Sequence, residues 1–295
     1  MGIGNWGESL LHLRCPECHQ PLQGLRCPNQ HTYAVEDGVL VLLNAAFRQR
    51  LQPFNLRLEQ YRAAEGKRLL DPGVYEQLPG AQAVRGNFEW RLRRYDLALI
   101  RDLLRRRPRQ RILDIGAWNG WLSHRLAADG HALTAIDYFT DRLDGLGARA
   151  FYSTEWQAIQ MDLTDLSPLD QRFDVVVLNR CLQFFSDPAQ YVAQASQKVA
   201  PGGLLIATGL AFYADPTDKA RQVRALQEAY RRQYAADIFL NPTKGYLDFA
   251  DRAQLTARGL RLHLYWQLIP ANLKSLFRPM RSRYYYGVYT ANAGI

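Results

Sequence analysis

The 295-residue chain predicts an α/β domain on a mostly parallel sheet with helices on both faces, preceded by a small metal-stabilised unit. Three observations carry this expectation. From residue 111 onward, apolar runs of strand length alternate with amphipathic helical stretches. The first three of these runs close on an acid: Asp114, Asp137 and Asp162. Upstream of them, Cys15, Cys18, Cys27 and His31 stand in Cys-x2-Cys…Cys-x3-His spacing.

Taken in order, residues 1–44 read as a compact, hairpin-rich ribbon ending in the strand-like run from Tyr33 to Leu43. Each Cys-containing loop starts Cys-Pro, and the proline stiffens the turn that aims the ligand groups at one point. Three thiolates and an imidazole make a closed tetrahedral set for Zn²⁺, which is a structural site and not a catalytic one. His19 is a competing fourth ligand to His31. Without a metal, about 40 residues hold too little core to stay folded. Four cysteines are too few for a disulfide framework. The opening MGIGNWGESLLHLR lacks a basic stretch followed by a sustained apolar one, so no secretory leader is expected. No run approaches 18 apolar residues, so no membrane-spanning helix is expected, and the expected location is cytoplasmic.

Residues 45–108 turn helical and polar, interrupted at Pro53, Pro72-Gly73 and Pro79-Gly80, and read as a helical cap or linker. Within them, Trp90, Leu92, Tyr95, Leu97, Leu99, Leu103 and Leu104 recur at helical spacing, and Pro108 closes the segment. Residues 109–295 form the main domain. Strands are expected at 111–115, 132–137, 157–161, 173–178 and 203–208, with helices at 119–129, 188–199 and 217–236. An irregular, aromatic-rich stretch is expected at Gly209–Pro216, inside a substrate-capping segment 209–250. Two last strands are expected at Leu260–Trp266 and Tyr284–Thr290, separated by a Pro/Lys/Arg-rich connection.

The run RILDIGAWNGWLSHRLA, Arg111–Ala127, is a strand, a glycine-containing turn and an amphipathic helix. That arrangement holds nucleotide-like ligands: Gly116 and Gly120 let the backbone approach, and the helix start offers free N–H groups. Three strand-end acids in succession suit a ligand bearing an ammonium group, a ribose and an adenine amine, which is S-adenosylmethionine. A dinucleotide is the rival ligand, but Gly116 and Gly120 do not complete G-x-G-x-x-G.

Residues 111–210 resemble the core of the Rossmann-like class I S-adenosylmethionine-dependent methyltransferases. The family's D/E-x-G-x-G-x-G motif stands here as Asp114-Ile-Gly116-Ala117-Trp118-Asn119-Gly120, with Trp118 where the middle glycine usually sits. The resemblance implies that Asp114 anchors the methionine ammonium and that Gly116 to Gly120 line the methionine and ribose. Asp137, followed by Tyr138, would accept both ribose hydroxyls. Asp162 would take the adenine amine, with the Leu163 N–H serving a ring nitrogen. The fourth motif, Phe173 to Pro188, resembles that of the small-molecule members and places Asn179 at the methionine end; Ala200-Pro-Gly-Gly-Leu matches the sixth. The ribbon resembles those of ribosomal RNA guanine-N1 methyltransferases and of small methyltransferase-activator proteins.

Methyl transfer from a sulfonium is a direct in-line displacement, in which a general base is optional, so no catalytic residue is demanded. Arg180, Phe212, Tyr213 and Tyr246 are the candidate substrate contacts, with Asp248 beside the last. His124 is expected on the outer face of its helix, Cys181 as a small buried hydrophobe, and Tyr284 to Tyr286 in the core. The formal charge of +9 collects in Arg101–Arg111 and Lys274–Arg283 and favours anionic partners: RNA, phosphorylated metabolites or acidic lipid headgroups. The expected activity is methylation of a small or medium-sized metabolite. RNA base methylation docked through the ribbon is the alternative, and a non-catalytic cofactor-binding module is the third reading. The sequence carries no signal for oligomeric state.

Overall fold

The computed structural model describes residues 12–66 and 68–292. Residues 1–11, on which most of the leader argument rests, lie outside the described residues. In chain order the first elements are β1 (Ala34–Glu36), β2 (Val39–Val41), α1 (Ala45–Ala64), α2 (Phe88–Leu104), β3 (Arg111–Ile115), α3 (Trp121–Ala128), β4 (Ala132–Asp137) and β5 (Gln157–Gln160). They are followed by β6 (Phe173–Asn179), α4 (Pro188–Ser196), β7 (Val199–Tyr213), α5 (Thr217–Tyr234), β8 (Leu247–Asp248), α6 (Phe249–Ala257), β9 (Arg261–Leu264), α7 (Ile269–Leu276) and β10 (Ser282–Thr290). The chain divides into two compact units, Met1–Gly86 with Pro108–Phe173 and Asn87–Arg107 with Asp174–Ile295.

In the first unit the strands run β1-β2-β5-β4-β3. β3, β4, β5 and β2 are successively parallel, with Asp137 level with Gln160 and Leu40 level with Ile159. The ribbon's closing hairpin therefore extends the sheet. Its two-residue turn, Asp37-Gly38, holds φ of +49° and +80°, the left-handed pair that a tight hairpin requires. β2 is buried throughout because it is an interior strand of the sheet, whereas β1 at the margin is mostly exposed. Leu13 and Arg14 add a second tie: Leu13 bridges Leu169, and the Arg14 N–H donates to the Pro168 carbonyl at 2.8 Å.

α1 starts on Asn44, whose side chain accepts from the Phe47 N–H at 2.7 Å, and buries Phe47, Leu51 and Phe54. The interruption expected at Pro53 does not occur, since the helix runs through it with its apolar face packed. Phe54 meets Tyr138 edge to face at 5.9 Å, and the Asn55 amide donates to the Tyr138 carbonyl at 3.3 Å. The same helix thus reaches the residue that follows the second strand-end acid. Arg62 on α1 pairs with Asp144 at 3.2 Å, and Arg68 beyond it pairs with Asp141 at 2.7 Å.

In the second unit the order is β6-β7-β10-β9, with β8 parallel to β7. β10, at the expected position of the last strand, is antiparallel to both neighbours. β7 is far longer than the expected 203–208, because Ser282 to Tyr285 of β10 pair with Tyr213 back to Leu210. The stretch from Gly209 expected to be irregular is therefore strand as far as Tyr213. Two helices lie where none was expected. α6 is fixed by a capping box between Asp248 and Asp251, and α7 fills the Pro/Lys/Arg-rich connection.

Candidate cofactor site and metal centre

β3 ends at Ile115 and the chain turns sharply through three left-handed residues: Gly116 at φ +70°, Trp118 at +53° and Gly120 at +76°. The Gly116 and Ala117 N–H groups donate to the Ile136 carbonyl at 2.9 and 3.2 Å, which fixes the turn to the end of β4. Gly120 is required twice over. Beyond its φ, a Cβ there would stand 2.4 Å from the Trp156 ring. Trp118 holds a left-handed φ that a glycine adopts freely, at a cost of about 1–2 kcal/mol. Its backbone N–H donates to Asp137 Oδ2 at 2.8 Å.

The two acids beside this turn are both buried. Asp114 is 1 % exposed; its Oδ2 accepts from the Ser123 hydroxyl at 2.7 Å, and its Oδ1 has no partner. Burial lifts its pKa to about 7, with the neighbouring Asp137 charge adding to the rise and the Ser123 bond opposing it. Asp137 accepts from the Trp118 N–H on one oxygen and from the Phe139 N–H at 3.0 Å on the other. Burial raises it to about 6 against the pull of those backbone donors. The Tyr138 backbone also acts on this carboxylate, which with about four acceptor positions retains capacity for a further donor. Asn119 is also buried: its Oδ1 accepts from the Trp121 N–H at 3.3 Å, and its Nδ2 has no partner. A buried carboxylate oxygen and a buried amide left unpaired are costly unless a ligand completes them.

Asp162 follows β5 by two residues and is half-buried. Its Oδ1 closes a local turn, accepting from the Thr164 N–H and hydroxyl at 2.8 and 2.7 Å. Leu163 is buried beside it. The Tyr138 carbonyl accepts from Gln160 Nε2 at 2.9 Å, tying the β4 and β5 ends together. His124 corrects the expectation of an outer-face residue. It is 3 % exposed, stacked on Tyr152 at 4.7 Å, bonded through Nδ1 to Thr154 at 2.8 Å, and next to the Glu76 carbonyl at 3.3 Å. The 3-10 turn Pro72–Gln77 brings Glu76 there and so covers the face of α3 that the sequence left open.

The second unit holds a buried polar network that the sequence reading missed. Asp96 on α2 is 1 % exposed and accepts from Tyr265 at 2.5 Å, from Asn179 at 3.3 Å and from Arg180 at 3.4 Å. Asn179 also donates to Thr208 at 2.6 Å, and Arg180 reaches Glu89 at 3.0 Å. Burial raises Asp96 against the pull of Arg180 and Tyr265. Burial opposes the Arg180 charge, but Asp96 and Glu89 outweigh it and net raise its pKa. Arg180, expected to face substrate, thus has its guanidinium engaged by two acids of its own unit. Phe212 is fully buried, edge to face with Tyr285 at 5.8 Å, because β7 runs through it as an interior strand. Tyr213 is half-buried, and burial raises its pKa. Tyr246 is half-buried with Lys244 Nζ 5.6 Å from its ring, and that lysine bridges Asp248 and Asp251 at 2.9 and 2.7 Å. A lone acid on the apolar face of α2 is the readable sign of the Asp96 network. Cys181 is buried, as expected.

The four ribbon ligands converge, with their ligand atoms within 4.8 Å of one another. Cys15 Sγ and Cys27 Sγ lie 3.4 and 3.3 Å from His31 Nδ1, and Cys18 Sγ lies 3.6 Å from Cys27 Sγ. His19 points elsewhere, 3.5 Å from the Ser167 hydroxyl, so His31 is the fourth member of the cluster. The Tyr33 hydroxyl stands 2.9 Å from Cys15 Sγ, a donor suited to a thiolate.

The glycine turn between parallel strands, flanked by two buried strand-end acids, belongs to an α/β domain of the Rossmann-like methyltransferase fold. Residues 113–207 match the family model described as a methyltransferase domain. A ubiquinone biosynthesis O-methyltransferase of Xylella fastidiosa is 31% identical over 162 residues, covering 52% of this chain and 61% of the relative. A malonyl-[acyl-carrier protein] O-methyltransferase of Hahella chejuensis is 31% identical over 104 residues, 34% of this chain and 37% of the relative. The chain thus spans about three-fifths or less of these relatives' lengths. Magnesium protoporphyrin IX methyltransferase from Synechocystis PCC 6803, with bound S-adenosylhomocysteine, overlaps at a TM-score of 0.42 and 15% identity, covering 70% of this chain and 89% of that one.

Proposed function

We propose that the protein is an S-adenosylmethionine-dependent methyltransferase acting on a small or medium-sized metabolite by direct in-line displacement. The observation that carries this reading is Asp114 Oδ1, buried and unpartnered beside the turn and next to Asp137. A buried carboxylate of raised pKa with a free lone pair is suited to an ammonium group, directly or through one water. The remaining acceptor capacity of Asp137 suits a vicinal diol, and Asp162 with the Leu163 N–H suits an adenine edge. The cofactor, when bound, supplies the electrophilic methyl carbon. The chain's contribution is to fix that ligand's two ends on adjacent strand tips and to hold its charge, which is positioning and electrostatics. The curated relatives are named for ubiquinone biosynthesis and malonyl-[acyl-carrier protein] methylation, names that favour a small or carrier-borne acceptor over RNA.

Isothermal titration with S-adenosylhomocysteine tests the site. The protein binds it, and Asp137→Ala weakens binding at least tenfold; no binding by folded protein overturns the proposal. RNA affinity that is high and falls steeply with salt would favour the RNA alternative instead.

The ribbon cluster is proposed as a structural Zn²⁺ site, supported by its Cys3His donor set and by Tyr33 on Cys15. Metal analysis of the purified protein is expected to give one zinc per chain. A folded, metal-free protein with four titratable ribbon groups overturns it.

A further inference from the structure

α7 is an inverted amphipathic helix. The residues it buries are polar: Asn272 exchanges two hydrogen bonds with the Tyr284 backbone, at 2.8 and 3.1 Å, and the Ser275 hydroxyl donates to the Asn272 carbonyl at 2.6 Å and accepts from Arg283 at 3.2 Å. The residues it exposes are apolar: Ile269, Leu273 and Leu276 stand at i, i+4 and i+7, the last two 54% exposed. Trp266 just before the helix is 76% exposed, Phe277 just after it 87%, and Met280 follows. Water solvates none of these side chains well, and a contiguous exposed set of this kind marks a docking face.

The charge around that face names its occupant. From Arg252 to the chain end there are seven Lys or Arg residues and no Asp or Glu. Lys274, Arg278 and Arg281 are exposed among the apolar side chains, without an acidic partner among the described residues. A second copy of this chain is disfavoured, because a twofold contact here would bring two purely basic sets together. We propose that this face docks in the interfacial layer of an anionic phospholipid bilayer. Trp266, Leu273, Leu276 and Phe277 enter the headgroup–acyl boundary, and the long basic side chains reach the lipid phosphates. No described helix is long and apolar enough to cross the membrane, and the attachment proposed for this face is peripheral. The proposal does not depend on the methyltransferase reading.

Flotation of the full-length protein with vesicles of phosphatidylcholine alone, or of phosphatidylcholine mixed with phosphatidylglycerol to give a negative surface potential, tests it. Binding is expected only to the anionic vesicles and falls as salt rises. Leu273→Glu with Phe277→Glu abolishes it, while circular dichroism and melting stay unchanged because both side chains are exposed. Replacing Lys274, Arg278 and Arg281 by Gln weakens it on the order of a hundredfold. Tryptophan emission shifts to the blue on adding anionic vesicles, and Trp266→Phe removes that shift. Equal binding to neutral vesicles, no binding to either, or a dimer that the Leu273/Phe277 variant dissociates would each overturn the proposal.

Discussion

Asp114→Asn separates the stability of the fold from its ligand chemistry. Burial lifts the Asp114 carboxyl from its ordinary 3.8 to about 7. The folded state therefore holds this proton more tightly than the unfolded chain does. Its contribution to stability is full below pH about 4 and is lost as pH rises to about 7. A shift of roughly three units corresponds to about 4 kcal/mol at pH 8, the cost of keeping the ionised group buried without a counter-charge. Asparagine fills the same space without the charge. The ligand-free variant is thus expected to melt on the order of 5 °C higher than the wild type at pH 8, and at the same temperature at pH 4. Binding moves in the opposite direction. S-adenosylhomocysteine needs the ionised carboxylate, so the wild type binds it about tenfold more weakly at pH 6 than at pH 8, as one proton must leave. The variant binds weakly at both pH values. Differential scanning calorimetry and titration calorimetry across that range read both effects. A variant that melts lower at pH 8, or that keeps the wild-type affinity, would refute the account of Asp114 as an uncompensated anion awaiting a cation.

Gly120→Ala drives a methyl group into the Trp156 ring and imposes a left-handed φ on alanine, and urea unfolding is expected to show a loss of about 2–4 kcal/mol. Arg180→Met strips Asp96 of its nearest cation and costs about 3 kcal/mol at pH 8; the loss shrinks as pH falls, because burial unopposed by Arg180 favours the protonated carboxyl. Removing metal with a strong chelator lowers the melting temperature of the wild type, and Cys18→Ala reproduces that lowering without chelator, as paired melting curves would show.

Much of the site could be read from the sequence because its signals are local. Asp114, Gly116 and Gly120 sit within one strand–turn–helix, and each is dictated by its own backbone geometry. The ribbon cysteines carry their spacing on their face. What escaped reading depends on partners distant in the chain. His124 is buried by a turn 48 residues upstream, Asp96 is matched by Tyr265 169 residues on, and β7 is lengthened by β10. α7 was missed for another reason: its apolar period points outward, so a rule that seeks the buried stripe reads it as connection. Phe212 belongs with the first group, since its strand partner lies 71 positions later at Arg283.

The hairpin that closes the ribbon has a consequence for how the metal-free chain fails. With β2 in place, the outermost strand is β1, three residues long, ending in Glu36 with Asp37 in the turn, which is a poor template for another chain. Loosening the ribbon strips that guard and bares the backbone of β5, with Ala158 and Ile159 at its centre. If the ribbon cluster holds the proposed zinc, removing it should show itself first as turbidity and cross-chain strand pairing, before the rest of the fold gives way.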